Sequence, residues 1–193
     1  LLGFFSVFTP EAVKKVTLFK SSFPARFGGR LSSVIDVRTN DGDMKNYHGV
    51  VSVGLLTSKI NFEGPIIKNR TSFNISARRS YIDLLAKPFM PKDEKYSYYF
   101  FDVNAKINHK FSDRSRLFLS AYNGKDHFMT KYDDTYYGDE DKYRDGGKMN
   151  WGNTIVSGRW NYIFNNKLFS NTTVAFNNYK FDVSTFTKNE IHT

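Results

Sequence analysis

The feature that most constrains the fold of this chain is a sustained alternation of apolar and polar residues. The segment SFNISAR at 72–78 places Phe, Ile and Ala at every second position, between Ser, Asn and Arg. The segments KINFEG at 59–64 and YFFDVNAKINH at 99–109 repeat this period. Because successive side chains of a β-strand point to opposite faces, the pattern predicts strands with one apolar and one polar face.

The alternation continues to the end of the chain, and the connections between its segments differ in length. It predicts about seven strands of about 9–13 residues, a length that spans a bilayer when the strand is tilted. The connections at 65–70, 112–115 and 165–167 are short, whereas those at 88–97 and 132–148 are long and charged. Tight turns on one side and long loops on the other are typical of an outer-membrane β-barrel.

Composition excludes several other classes of protein and site. The chain has no cysteine, so neither a disulfide framework nor a thiolate metal site is expected. Its four histidines share no ligand spacing, so we predict no metal site, no cofactor and, without a nucleophile motif, no enzymatic activity. The net charge of +9 is interleaved with acidic residues, which argues against binding of nucleic acid. No apolar run is long enough for a transmembrane helix.

Two other architectures share the same alternation. A soluble β-sandwich or meander would pack its apolar faces inward, and a passive porin would form a barrel without a plug. Seven strands cannot close a single-chain bacterial barrel, and an open edge in lipid costs several kcal/mol for each unpaired backbone group. On the barrel interpretation we therefore expect the sequence to be a piece of a longer protein that continues at both ends.

The first part of the chain has a different character. Thr9 and Pro10 predict the start of a short helix, because Thr favours the N-cap and Pro the first helical position. The residues VTLF at 16–19 and VIDV at 34–37 predict two strands. Gly28 and Gly29 predict a tight turn between them.

These segments resemble a known family. The stretch LFKSSFPARFGGRLSSVIDVRTNDGD at 18–43 resembles the last part of the plug domain of TonB-dependent outer-membrane receptors, most closely those of Bacteroidetes. The preceding FTPEAVKKVTLFK at 8–20 resembles the helix and strand of that plug. The following YHGVVSVGLLTSKINFEGPI at 47–66 resembles the first barrel hairpin.

The resemblance implies a fold, an organisation and a function. The fold would be all-β, a membrane β-barrel fragment of about seven long antiparallel meander strands, preceded by the C-terminal part of a small α+β plug domain. Residues 1–41 would belong to the plug and 42–193 to the first part of the transmembrane barrel. The protein would lie in the outer membrane of a Gram-negative bacterium and import a scarce nutrient.

The partners implied by the resemblance are outer-membrane lipid, the nutrient and TonB. TonB would supply the energy through a plug segment that this sequence does not contain. The nutrient could be a siderophore, a vitamin, a peptide or a glycan, and participation of a surface lipoprotein stays open. The alternatives that remain are a passive porin-like barrel and a soluble secreted β-sheet adhesin.

Two sets of residues are predicted as sites. The resemblance implies a plug–barrel contact at Arg26, Gly28, Gly29 and Arg30. Its two arginines would pair with lumen carboxylates, for which their forked guanidinium is suited, and its two glycines would let the backbone lie close to the wall. The loop at 130–148 interleaves tyrosines with carboxylates, a combination that could bind sugars, a cationic ligand or calcium. Its candidate ligand residues are Tyr132, Asp133, Asp134, Tyr136, Tyr137, Asp139 and Asp141.

Overall fold

The chain is built almost entirely of β-strands. The computed structural model describes residues 12–20, 24, 27–28, 32–91, 94–135 and 142–190. The strands within these residues are β1 (Val13–Phe19), β2 (Val34–Thr39), β3 (His48–Val53), β4 (Thr57–Ile67), β5 (Thr71–Ser80), β6 (Glu94–Ser112), β7 (Ser115–Thr135), β8 (Lys142–Asn165) and β9 (Leu168–Glu190). A short helix, α1 (Ile82–Ala86), and a 3-10 turn (Lys87–Phe89) connect β5 to β6.

The described strands form two sheets. β1 and β2 pair in an antiparallel ribbon, hereafter the small sheet, and β3 to β9 form a seven-stranded antiparallel meander, the large sheet. The seven meander strands and the strands predicted at 16–19 and 34–37 are thereby confirmed. The helix predicted from Pro10 falls mainly outside the described residues, and the chain is already a strand at Val13.

The later strands are longer than the alternation predicted. β6, β7, β8 and β9 have 19, 21, 24 and 23 residues. The prediction of long loops at 88–97 and 132–148 was therefore wrong in extent, because β6 begins at Glu94, β7 continues to Thr135 and β8 begins at Lys142. Tyrosine and threonine favour extended backbone, and each strand pairs with a neighbouring strand. The backbone hydrogen bonds between strands therefore continue beyond the residues that show apolar alternation.

In the large sheet the polar face is buried and the apolar face is exposed, which is the reverse of a soluble sheet. Its polar face contains the most buried side chains, among them Ser72, Asn74, Asp102, Asn104, Lys106 and Asn108. Its apolar face is exposed, with Ile60 at 50%, Val156 at 51% and Val174 at 72%. A soluble antiparallel sheet buries the apolar face instead. The inward packing expected of a soluble sandwich is therefore not seen within the described part of the chain.

Candidate functional site

The predicted contact between plug and barrel is only partly described. Gly28 lies in a turn, and the amide of the preceding Phe27 donates to the Pro24 carbonyl at 3.0 Å. A Cβ atom placed on Gly28 would meet no described atom within 4 Å. Arg26, Gly29 and Arg30 lie outside the described residues. The contact assigned to these four residues stays a prediction.

The described contact between the two sheets is made by residues 39–43, hereafter the anchor segment. From the polar face of β6, the Lys106 ammonium donates to the Thr39 carbonyl at 2.9 Å and pairs with the Asp41 carboxylate at 2.7 Å. Lys14 of β1 donates to the other Asp41 oxygen at 2.8 Å. One carboxylate thus links the small sheet to the large sheet.

Further hydrogen bonds fix the anchor segment to β4 and β5. The Asn40 amide donates to the Glu63 carboxylate at 2.8 Å, and Asn74 donates to the same oxygen at 3.1 Å. The Ser72 hydroxyl donates to the Asp41 carbonyl at 2.8 Å. The anchor segment is therefore held by side chains from three consecutive strands of the large sheet.

Gly42 allows the anchor segment to approach β5 at backbone distance. Its φ of +78° lies in the left-handed region, which side chains other than glycine rarely adopt. A Cβ atom at this position would lie 2.2 Å from the Phe73 carbonyl oxygen. Glycine is thus required here both by the backbone conformation and by the lack of space.

The two carboxylates of the anchor segment are stabilised in their ionised form. Burial raises the pKa of Asp41, but the hydrogen bonds from Lys106 and Lys14 outweigh it and hold the pKa below its ordinary value. The backbone amide of Lys45 and the His48 ring lower the pKa of Asp43. Both groups therefore carry a negative charge at neutral pH, and Asp41 keeps its ion pairs.

A second group of buried charges lies on the polar face of β5, β6 and β7. The Arg78 guanidinium donates from Nε to Asp102 at 2.8 Å and lies 5.0 Å from the centre of the Phe100 ring. The Tyr98 hydroxyl donates to Asp126 at 3.1 Å. The sequence placed Arg78 and Asp102 on the polar face but assigned them no role. Their pairing depends on the register of β5 against β6, in which they are direct neighbours.

The residues of the predicted ligand loop lie either in strands or outside the described residues. Tyr132 lies within β7, opposite Glu94, and its hydroxyl contacts that of Tyr96. Tyr96 donates to Glu94 at 2.9 Å. Asp133 and Asp134 continue the backbone of β7, whereas Tyr136, Tyr137, Asp139 and Asp141 lie outside the described residues. Ligand binding by this set stays a prediction.

Other functional signals are few. Among the residues with described positions, no cluster of His, Asp and Glu side chains could hold a metal ion. None of the described helices is long and apolar enough to cross a membrane. Comparison with protein-family models, with curated proteins and with solved structures found no match. Function is therefore inferred from the two sheets and the anchor segment.

Proposed function

We propose that this chain is part of a TonB-dependent importer of the bacterial outer membrane. The large sheet would be a stretch of barrel wall, and the small sheet would belong to the plug inside the lumen. The observation that carries the proposal is the inverted burial of the large sheet. Exposing a wide apolar face to water is unfavourable, at about 25 cal/mol for each Å², whereas lipid favours the same face.

The dimensions of the apolar face support this proposal. On β8 its outward positions run from Val156 to Phe164, both about half exposed. This stretch covers about 26 Å at about 3.3 Å per residue. A strand tilt of about 35–45° reduces that length to a height of about 20 Å, near the apolar band of about 25 Å in membrane barrels. Beyond it the same face becomes polar, at Thr154 and Asn150.

The position of the small sheet supports a plugged rather than an open barrel. The anchor segment lies on the polar face, which would line the lumen, and its partners Glu63, Ser72 and Lys106 all belong to that face. A lumen that contains a plug blocks passive flow, so import requires energy, which TonB would deliver. The transported nutrient would be a siderophore, a vitamin, a peptide or a glycan.

Quenching by brominated lipid tests the membrane orientation. Trp160 lies on the apolar face and is 50% exposed, whereas Trp151 lies on the other face of β8. In bilayers of brominated phospholipid, we expect the fluorescence of W151F, which retains Trp160, to be strongly quenched. The matched variant W160F, which retains Trp151, should be quenched far less. Little quenching of either variant, or no association with vesicles, would favour a soluble secreted protein.

A second experiment separates an importer from a passive porin. Vesicles that contain the protein of which this chain is a part are diluted into an isotonic sugar solution, and swelling is followed by light scattering. A plugged barrel should admit a trisaccharide no faster than protein-free vesicles. Rapid swelling would show an open channel and would overturn the plug assignment, even if the brominated-lipid result placed the sheet in the membrane.

A further inference from the structure

A cavity separates the small sheet from the polar face of the large sheet. Its volume is about 1000 Å³. Residues from both sheets line it, and those used below are Lys14, Asp41, Asn104, Lys106, Phe118 and Arg159. Most of the side chains that line the whole cavity are polar, so the cavity can hold a polar occupant.

Positive charge is concentrated around one buried aromatic ring in the cavity wall. Phe118 is 6% exposed. The Arg159 guanidinium lies 4.4 Å from its ring centre, that of Arg116 5.2 Å and the Lys106 ammonium 5.5 Å. Lys106 pairs with Asp41, and Arg116 donates to the Asn108 amide oxygen at 2.7 Å. Asp36, the other described carboxylate in the cavity wall, lies beside Arg38, and no described carboxylate pairs with Arg159. The positive charge of Arg159 is therefore left unbalanced among the described residues.

Two hydrogen-bond donors in the cavity wall have no acceptor among the described residues. Arg159 Nε and Asn104 Nδ2 are shielded from solvent and make no hydrogen bond with any described residue. Asn104 as a whole is only 7% exposed. A buried donor without an acceptor is costly, and native proteins rarely leave one unsatisfied. Both donors line the same cavity, which also contains the unsatisfied acceptor Asn153 Oδ1, so one ligand with acceptor atoms could satisfy both donors.

We propose that the cavity is a carboxylate-binding site centred on Arg159. The guanidinium would bind the two carboxylate oxygens, a geometry that its planar fork matches. Asn104 and Lys106 would supply further donors, and Phe118 would exclude water from beneath the guanidinium. The carboxylate belongs either to a small ligand or to a side chain of the same protein. The proposal goes beyond the importer function, because it depends on the cavity and not on the membrane.

Thermal unfolding of the protein of which this chain is a part, purified in detergent at constant ionic strength, tests the site. The probes are acetate, neutral acetamide of the same shape, and inorganic phosphate. With acetate at several times its Kd, we expect Tm to rise by about 2–4 °C, and neither acetamide nor phosphate should reproduce the shift. R159M should abolish the shift. R114M, at an exposed arginine in the turn between β6 and β7, should retain it.

The stabilities of two variants identify the source of the carboxylate. R159K keeps the charge, whereas R159M keeps an apolar stem without charge. If acetate has no effect but R159K unfolds at a higher temperature than R159M, the carboxylate comes from the protein itself. Without such a carboxylate the buried cation of R159K would be unpaired, and R159M would unfold at the higher temperature. The proposal fails if acetate has no effect and R159M is at least as stable as R159K. It also fails if R159M retains the acetate shift, or if phosphate alone produces one.

Discussion

At the scale of single residues, Gly42 should be the least replaceable position of the anchor segment. Its φ is positive, and a Cβ atom added there would lie only 2.2 Å from the Phe73 carbonyl oxygen, which leaves no room for alanine. We expect G42A to lower the free energy of unfolding by more than about 1 kcal/mol. Urea unfolding followed by tryptophan fluorescence measures the loss.

Gly28 provides the matched control for that substitution. A Cβ at Gly28 would contact no described atom within 4 Å, and its φ is not in the left-handed region. G28A should therefore change the free energy of unfolding far less than G42A. Similar losses for the two variants would mean that the close approach at Gly42 does not limit stability.

Asp41 should make the stability of the protein depend on pH. Its pKa is lower in the folded chain than the ordinary 3.8, so its stabilising contribution is present above that value and is lost as pH falls through the folded pKa. We expect native protein to exceed D41N in stability by about 2 kcal/mol at pH 5–7, the scale of charge-assisted hydrogen bonds. The difference should shrink below about pH 4.

D36N is the comparison for the Asp41 experiment. Asp36 lies on β2 beside the exposed Arg38, at 3.8 Å, and no described bond links it to the large sheet. D36N should cost little at any pH. A difference between native protein and D41N that stays constant down to pH 2 would contradict the ion-pair assignment.

The hydrogen-bond partners of the anchor segment could not be predicted from the sequence. The stretch NDGD at 40–43 shows only polar residues and a glycine. Its partners could not be predicted, since Lys106 and Glu63 reach Asp41 and Asn40 only once three strands, β4 to β6, are in register. Arg159 alternates with apolar residues of β8 and so belongs to the polar face. That its Nε has no acceptor among the described residues appears only when its three-dimensional surroundings are known.

At the scale of elements, the cost of adding a charge to β9 should depend on whether the residue lies inside or beyond the apolar stretch. Val174 and Asn178 share one face, but Val174 pairs with Gly158 inside the apolar stretch and Asn178 pairs with Thr154 beyond it. In lipid bilayers we expect V174R to cost about 2–4 kcal/mol and N178R about 0–1 kcal/mol. Reversible urea unfolding in vesicles measures both.

The comparison of V174R with N178R also tests the location of the sheet. If the apolar face instead pointed to water, both arginines would lie on an exposed surface. Both variants would then differ from the native protein by less than about 0.5 kcal/mol. Equal and small effects would therefore count against lipid contact.

The positions of the strands were predictable, whereas their ends were not. Alternation located β4 to β9 because each has an apolar face, and short polar turns marked the hairpins at 68–70, 113–114 and 166–167. Near the far ends of β7 and β8 both faces are polar, so the hydrophobic period disappears. Backbone pairing continues there regardless, from Lys131 opposite Gly146 to Thr135 opposite Lys142.

At the scale of the whole molecule, the two sheets should differ in local stability. The small sheet has only two strands, and Val16, Leu18 and Ile35 remain more than half exposed. Such a ribbon is marginally stable alone. We expect its amides to exchange hydrogen at least about ten-fold faster than those of β5 to β7, as measured by mass spectrometry.

D41N should widen that difference in hydrogen exchange. Loss of the Asp41 ion pairs removes the bond between β1 and β6, so exchange in β1 and β2 should accelerate while β6 and β7 stay unchanged. Acceleration across both sheets would show instead that they open as one cooperative unit. No change in either sheet would show that the anchor segment does not stabilise the small sheet.

The exposed apolar face has a consequence for how the chain reaches its native state. In most domains collapse in water drives folding, because it brings apolar groups together. Here the same collapse would stack apolar faces of separate molecules, and long alternating strands are suited to cross-β aggregates. With the membrane location proposed above, we therefore expect the nascent chain to need a holding chaperone before insertion. We expect it to complete folding only where lipid covers the apolar face.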